Sequence, residues 1–443
     1  MLVFLGWFLV VGSLFWLYWQ GNLRAYFHQD DVVELANIAR WNSRTIFHLN
    51  NEHLNITYYP LLRLQWLLFG INFSGYLFFN LLLHALVLFL IFQVSFKTTR
   101  SFFWAGLAVW GMTINSNWFT VVWWVSGQMF LLTTVFALLS ILVIIEIRTK
   151  LKSSAKKWWP YLLLYLFSVF PGLSWGGGLT WPIWPLLVYG IKSSGGKISL
   201  NKIGKTLILS QITLAIIYFS LIGDNLAVHT DPATWFSNPL AILAFMVVGI
   251  SNTVVGRWLW PTENLYLRIA ALLVASLVFL AMKPWKKFRN KHIFLGVVVV
   301  LGIYLTYALP RWRFGIGHAM ANYYAYLPLS FIMISLVNYF STYSSKKLFK
   351  ISIASFFVIL MVFSWIGFES WARDWVIRPQ QTRNLFTKLN KLDSSTCLKN
   401  EYLPTYIVPQ PRWRMDFIWP IFKKSNNPFY ENNETDCLSY LDL

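Results

Sequence analysis

The sequence predicts an all-α polytopic membrane protein with about 11 transmembrane helices. Three observations predict it. Of 443 residues, 57% are hydrophobic and only 12% are charged, about half the charged fraction of a soluble domain. Apolar runs long enough to cross a bilayer recur along the chain. Basic residues gather in short clusters between those runs, as the positive-inside rule requires. The formal net charge of +20 therefore reads as an orientation signal toward the lipid bilayer, and nucleic acid is set aside as a partner.

The first run, 2–19, has neither a basic leader nor a small-residue cleavage site, so it is expected to be a retained anchor with a cytoplasmic N-terminus. Further spans are expected at 74–95, 102–119, 129–147, 158–173, 177–191, 206–222, 264–282, 293–309, 323–340 and 351–368. Five basic connections, at 97–100, 148–157, 192–205, 283–291 and 346–350, hold 19 of the 37 Lys and Arg and no Asp or Glu. Placing them in the cytoplasm puts residues 20–73 and the tail on the extracytoplasmic side. One more apolar stretch, 238–260, would carry the Lys283 cluster outside if it crossed. It is expected to be a re-entrant or interfacial helix on the outer face. "SWGGGLTW" at 174–181 is expected to be a tight outer turn.

Two regions follow: a transmembrane domain over 1–368, with its first outer loop at 20–73, and a small extracytoplasmic tail or cap over 369–443. The two cysteines, Cys397 and Cys437, lie in that tail, where an oxidising setting makes them a disulfide candidate. No phosphate-binding glycine motif of a nucleotide site occurs.

Carboxylates are scarce and clustered. Through residue 223 there are five, Asp30, Asp31, Glu34, Glu52 and Glu146, and four of them share the first outer loop. "DDVVELANIAR" has helical spacing, with Val32, Leu35 and Ile38 on an apolar face and acids in the first turn, where the helix dipole favours them. Asp30 and Glu34 share a face of that helix and Asp31 adjoins Asp30. Such a pair suits acid–base work: one carboxylate takes a proton from an attacking hydroxyl, and the other orients it or holds a divalent cation such as magnesium or manganese. Asp30 and Asp31 are the catalytic candidates, Asp31 also the metal candidate, with Glu34, Glu52 and His53 secondary. The histidines of this loop fit no zinc spacing. His84, inside a span, is expected to serve helix packing.

The segment "YYPLLRLQWLLFGINFSGYLFFNLLLHALVLFL" at 58–90 resembles the first-loop-to-second-span region of GT-C-fold membrane glycosyltransferases, in the branch of protein O-mannosyltransferase-like proteins and their bacterial relatives. Tyr58, Pro60, Leu61, Phe69, Gly70, Asn72, Gly75, Tyr76, Asn80 and His84 carry the pattern. The resemblance implies that Asp30 is the base toward the acceptor, and that a sugar carried on a polyprenyl phosphate is transferred on the extracytoplasmic face. The acceptor would be a glycan, lipid or protein hydroxyl, and the setting a prokaryotic plasma membrane. Where relatives have Arg, Lys-Glu and Arg, this chain has Gln128, Trp175 and Gly176, and Tyr323.

A lipid phosphate calls for cations at the outer surface. Arg257, Arg311 and Arg313 are the candidates, with Arg63 and Arg40 behind them. The expected activity is transfer of the sugar with inversion. The competing readings are a polytopic transporter or lipid flippase, and a catalytically silent protein that binds lipid-linked sugar.

Overall fold

A computed structural model describes residues 2–27, 30–42, 45–47, 49–50, 53–113, 115, 119–150, 158–194, 197–222, 235–254, 273, 290–319, 321–342, 347–392, 398–404, 414–422 and 429–430. The chain is an α-helical, multi-pass membrane protein. Among the described residues five helices are long and apolar enough to cross a membrane, at Phe73–Thr99, Val125–Thr149, Lys202–Leu221, Lys291–Phe314 and Tyr323–Ser341. Shorter apolar helices lie at Phe102–Thr113, Trp159–Ser174 and Pro239–Thr253. The described β-structure is three two-stranded ribbons, Leu49–Asn50 with His53–Leu54, Ile191–Ser194 with Lys197–Leu200, and Leu398–Lys399 with Phe429–Tyr430.

Helix α1 (Leu2–Arg24) is followed by the short amphipathic α2 (Asp30–Ala39), which buries Val32, Leu35, Ala36 and Ile38. Helices α3 (Tyr58–Phe69) and α4 (Phe73–Thr99) meet at a tight corner. Gly70 makes the turn with φ 55, and the Asn72 side chain caps α4 by accepting from the Ser74 amide at 3.2 Å. The Tyr76 hydroxyl donates to the Gly70 carbonyl at 2.8 Å. A Cβ on Gly75 would sit 2.3 Å from the Phe69 ring, so only glycine lets α4 start there.

Helices α5 (Phe102–Thr113), α6 (Phe119–Trp123), α7 (Gln128–Lys150) and α8 (Trp159–Ser174) continue the bundle. After the short α9 (Ile183–Pro185) come α10 (Lys202–Ile222), α11 (Pro239–Val254), α12 (Lys291–Arg311), α13 (Ile316–Ala319), α14 (Tyr326–Ser341) and α15 (Lys347–Lys391). Helix α4 packs on α5, α7 and α14; α7 on α8; α8 on α10; and α12 on α11 and α14. One apolar core runs through most of these contacts.

Two expectations are revised. The span expected at 177–191 is not one α-helix: a 3-10 turn at Gly176–Gly178, turns, α9 and a π-turn at Leu186–Gly190 carry the chain from the end of α8 back to the start of α10. Three glycines, Pro182 and Pro185 deny it a continuous hydrogen-bond ladder. Residues 351–368 belong to α15, a single 45-residue helix, so the boundary expected after 368 falls within it. At about 1.5 Å per residue α15 is roughly 67 Å long, about twice a bilayer core. Helix α11, 16 residues, is about 24 Å long and shorter than that core. The run at 264–282 lies outside the described residues except for Leu273.

Candidate active site

Asp30 and Asp31 open α2, and the pair is divided between two environments. Asp31 is fully buried. Its carboxylate accepts from the Ser126 amide at 2.7 Å, the Ser126 hydroxyl at 2.8 Å and the Val125 amide at 3.4 Å. Those donors lie in the 3-10 turn Val125–Gly127 that precedes α7. The turn is held from below by Asn80, whose amide donates to the carbonyls of Val122 and Trp124, both at 2.9 Å. Burial pushes the Asp31 carboxyl up to about 7, although the Ser126 and Val125 donors pull the other way and neighbouring Asp30 adds to the rise. Asp31 is a latch between α2 and the turn before α7; its oxygens are turned inward, away from the surface.

Asp30 keeps a solvent-exposed side chain. Protein surrounds it closely enough that desolvation raises its pKa, while the positive charge of Arg311 opposes the rise. Its side chain is thus accessible from one side while protein on the other desolvates the carboxyl. The accessible surface decides its availability to solvent and solutes, and the enclosure decides its proton affinity.

His53, on the second strand of the first ribbon, meets the Arg311 guanidinium at 3.0 Å through Nε2 and the Gly176 amide at 3.3 Å through Nδ1. Burial lowers its pKa to about 4, so it is neutral at pH 7 and the positive charge beside Asp30 is that of Arg311. The guanidinium also bonds the Tyr324 hydroxyl and approaches His318 Nε2 at 3.3 Å, and Tyr324 and His318 are 2.9 Å apart. It sits over the Tyr324 ring, 5.3 Å from the centroid.

Aromatic rings form the floor. Trp175 lies 4.3 Å from Phe130, 4.8 Å from Tyr307 and 6.1 Å from Tyr324, between ring centroids. Tyr323 joins Phe130 at 5.1 Å and Trp124 at 5.3 Å. From His53 and Arg311 a cavity of about 200 Å³ runs between the segment that follows α8, α10 and α12, past Trp175 and Tyr307 to the apolar Leu214, Tyr218 and Phe219. Phe219 is 69% exposed on the outer surface of the bundle, so the cavity joins a cationic end to an apolar flank. Gly177 lines it. A Cβ there would meet the Trp175 and Tyr307 rings at 2.1 and 2.4 Å.

The other sequence candidates fall elsewhere. Glu34 is buried in α2 beside Tyr58 and Tyr59. Arg63 donates to the Ile38 carbonyl at 2.7 Å, at the last turn of α2, and covers Trp66 at 4.6 Å, where a cation complements the helix dipole. Arg40 reaches the Asp416 carbonyl at 3.1 Å and the Phe417 ring at 4.5 Å, tying α2 to the tail. Arg313 is exposed and stacks over neighbouring Trp312. His84 Nδ1 pairs with the Tyr326 hydroxyl at 2.6 Å between α4 and α14. Glu52, Arg257, Cys397 and Cys437 lie outside the described residues. Among the described residues no three His, Cys, Asp or Glu side chains come together as a metal site.

His318, Tyr324, Tyr323 and Trp175 were not singled out as site residues by spacing or charge. The signal that reaches two of them is "RWRFGIGHAMANYY", where His318 and Tyr324 follow Arg311 on one loop. Comparison with protein-family models, with curated proteins and with solved structures finds no match to this chain.

Proposed function

We propose that the protein is a membrane glycosyltransferase of GT-C type, with the 11 spans expected from the sequence, and that it moves a sugar from a polyprenyl-phosphate carrier to an acceptor hydroxyl on the extracytoplasmic face. One observation carries the reading: an accessible carboxylate, Asp30, stands within the field of Arg311, and Arg311 lines a cavity that turns apolar toward the bundle surface. A phosphate with a hydrocarbon tail matches that gradient, since a guanidinium fork pairs with phosphate oxygens and the tail follows the apolar flank.

In this reading the acceptor oxygen attacks the anomeric carbon as its proton passes to Asp30. The bond from that carbon to the phosphate oxygen breaks, and the polyprenyl phosphate leaves with the electron pair, its new charge held by Arg311. Attack opposite the leaving group inverts the anomeric centre. His53 packs its Nε2 edge against the Arg311 guanidinium and helps to orient it. Asp31 holds α2 in place, so its proposed role is positioning. The aromatic floor gives the sugar a shaped, poorly hydrated boundary.

The test is transfer from a panel of radiolabelled polyprenyl-phosphate sugars in proteoliposomes. Label reaching an acceptor, or released slowly as free sugar, from wild type and not from Asp30→Asn supports the reading. A protein that binds such donors without turnover supports the catalytically silent alternative.

A further inference from the structure

We propose that the basic end of the bundle, opposite the Asp30 cleft, holds a site for the phosphate headgroup of an anionic lipid. A second, larger cavity of about 720 Å³ opens there, with Arg148 of α7, Tyr161 of α8, Tyr189 of the π-turn, Lys202 of α10 and Lys291 of α12 on its walls. Helix α12 runs from Lys291 at this cavity to Arg311 at the cleft, 21 residues, or about 31 Å, the thickness of a hydrocarbon core. The two sites therefore belong to opposite leaflets, and this one does not rest on the transferase reading.

No Asp or Glu is among the described residues that line the cavity. The sequence contains no Asp or Glu between Glu146 and Asp224, nor between Glu263 and Glu369. Every cationic wall of the cavity comes from those stretches. Arg148 and Lys291 both lie over the Tyr189 ring, at 5.3 and 5.9 Å from its centroid, and Lys202 lies 6.0 Å from that of Tyr161. Tyr189 is itself fixed: its hydroxyl pairs with His292 Nδ1 at 2.9 Å and its carbonyl accepts from Asn201 at 2.7 Å. Two like charges drawn to one ring repel each other, and an anion between them reverses that repulsion.

Depth in the membrane points to a lipid as its source. Trp158 and Trp159, 71% and 52% exposed, sit at the start of α8, three and two residues before Tyr161. Exposed tryptophans at a helix end mark the headgroup level. Ile145, Ile147 and Ile203 supply an apolar wall to the same cavity. Basic pockets between membrane helices on this side suit phosphate headgroups.

Delipidated full-length protein in a neutral detergent would be titrated with phosphatidylglycerol or with phosphatidylcholine of the same acyl chains, and retained lipid counted by native mass spectrometry. Phosphatidylglycerol is expected to be retained over phosphatidylcholine. The Arg148→Gln/Lys291→Gln protein should bind it roughly 25-fold more weakly, about fivefold per charge, while Arg148→Lys should bind it nearly as wild type does. Should the double variant not stay monodisperse, the exposed Lys202→Gln should show a loss of about fivefold alone. Displacement of the lipid by glycerol 3-phosphate at equal concentration would keep the phosphate site and overturn its lipid source. Equal retention by wild type and variants, or no preference between the two lipids, would overturn the site. Asp30→Asn should bind the lipid as wild type does, so failure of the transferase reading leaves this result readable.

Discussion

Asp30 and Asp31 are chemically identical neighbours whose surroundings give them different work. At the start of a helix consecutive side chains point about 100° apart, so one can face a cleft while the other is locked to Ser126. Asp31, raised to about 7 by burial, sets a pH dependence of stability. Between the unfolded carboxyl value of about 3.9 and about 7 the folded state holds the extra proton, so stability should fall as pH rises through that window and level off above it. Thermal melts from pH 4 to 8 should show that slope in wild type, and a flatter profile in Asp31→Asn. For Asp30, also raised, the proton must leave before it acts as a base, so transfer should climb with pH on an acid limb lying above the ordinary carboxylate range. Arg311 is a fork rather than a point charge: Arg311→Lys should lose roughly ten- to a hundredfold in transfer despite keeping its charge, measured as kcat/KM for the lipid-linked donor. The acidic pair was visible in the sequence as a pair. Which member meets solvent was not, because spacing gives relative directions around a helix and never the direction of the cleft. Trp175, one of 25 tryptophans, carried no mark that set it apart.

At the level of elements, much of the residue pattern in 69–84 has a structural job. Gly70, Asn72, Gly75 and Tyr76 make the α3–α4 corner, and His84 joins α4 to α14. Asn80 supports the turn that grips Asp31. Asn80→Ala leaves two buried carbonyls without that donor and should cost about 1–3 kcal/mol, read as a lowered melting temperature, with Asp30 chemistry impaired through the loosened turn. Arg383 of α15 plays a similar part from the other side. Its guanidinium donates to the carbonyls of Asn22 and Ala25 at 2.9 and 2.6 Å, closing the end of α1 just before the acidic pair. Helix positions in the long apolar runs were legible because twenty apolar residues leave few alternatives. The broken return at 176–190 was not: its composition is as apolar as a span, the three glycines mark a turn at its start only, and Pro182 and Pro185 lie inside an apolar run that otherwise looks continuous. The length of α15 was hidden for the opposite reason, since its polar second half looks like tail by composition while its backbone remains helical.

Across the whole molecule, two ends of one bundle are specialised for different charge. Asp30, His53, Arg311 and the aromatic floor occupy one, and Arg148, Lys202 and Lys291 occupy the other. The charge rule assigns the second to the cytoplasm. In a protein lacking Cys397 and Cys437, a cysteine placed at exposed Arg313 should react with an impermeant maleimide added outside intact cells, and one at exposed Arg148 only after permeabilisation. The reverse pattern would invert the topology. The division of labour between the two aspartates is tested most directly by purifying Asp30→Asn and Asp31→Asn side by side and measuring, for each, transfer from a polyprenyl-phosphate sugar and the melting temperature at pH 7.5. Asp30→Asn should melt no lower than wild type and lose transfer by at least about a hundredfold, while Asp31→Asn should show an altered melting temperature and lose only part of its transfer, through a looser hold on α2. Wild-type transfer by a well-folded Asp30→Asn protein would contradict the account.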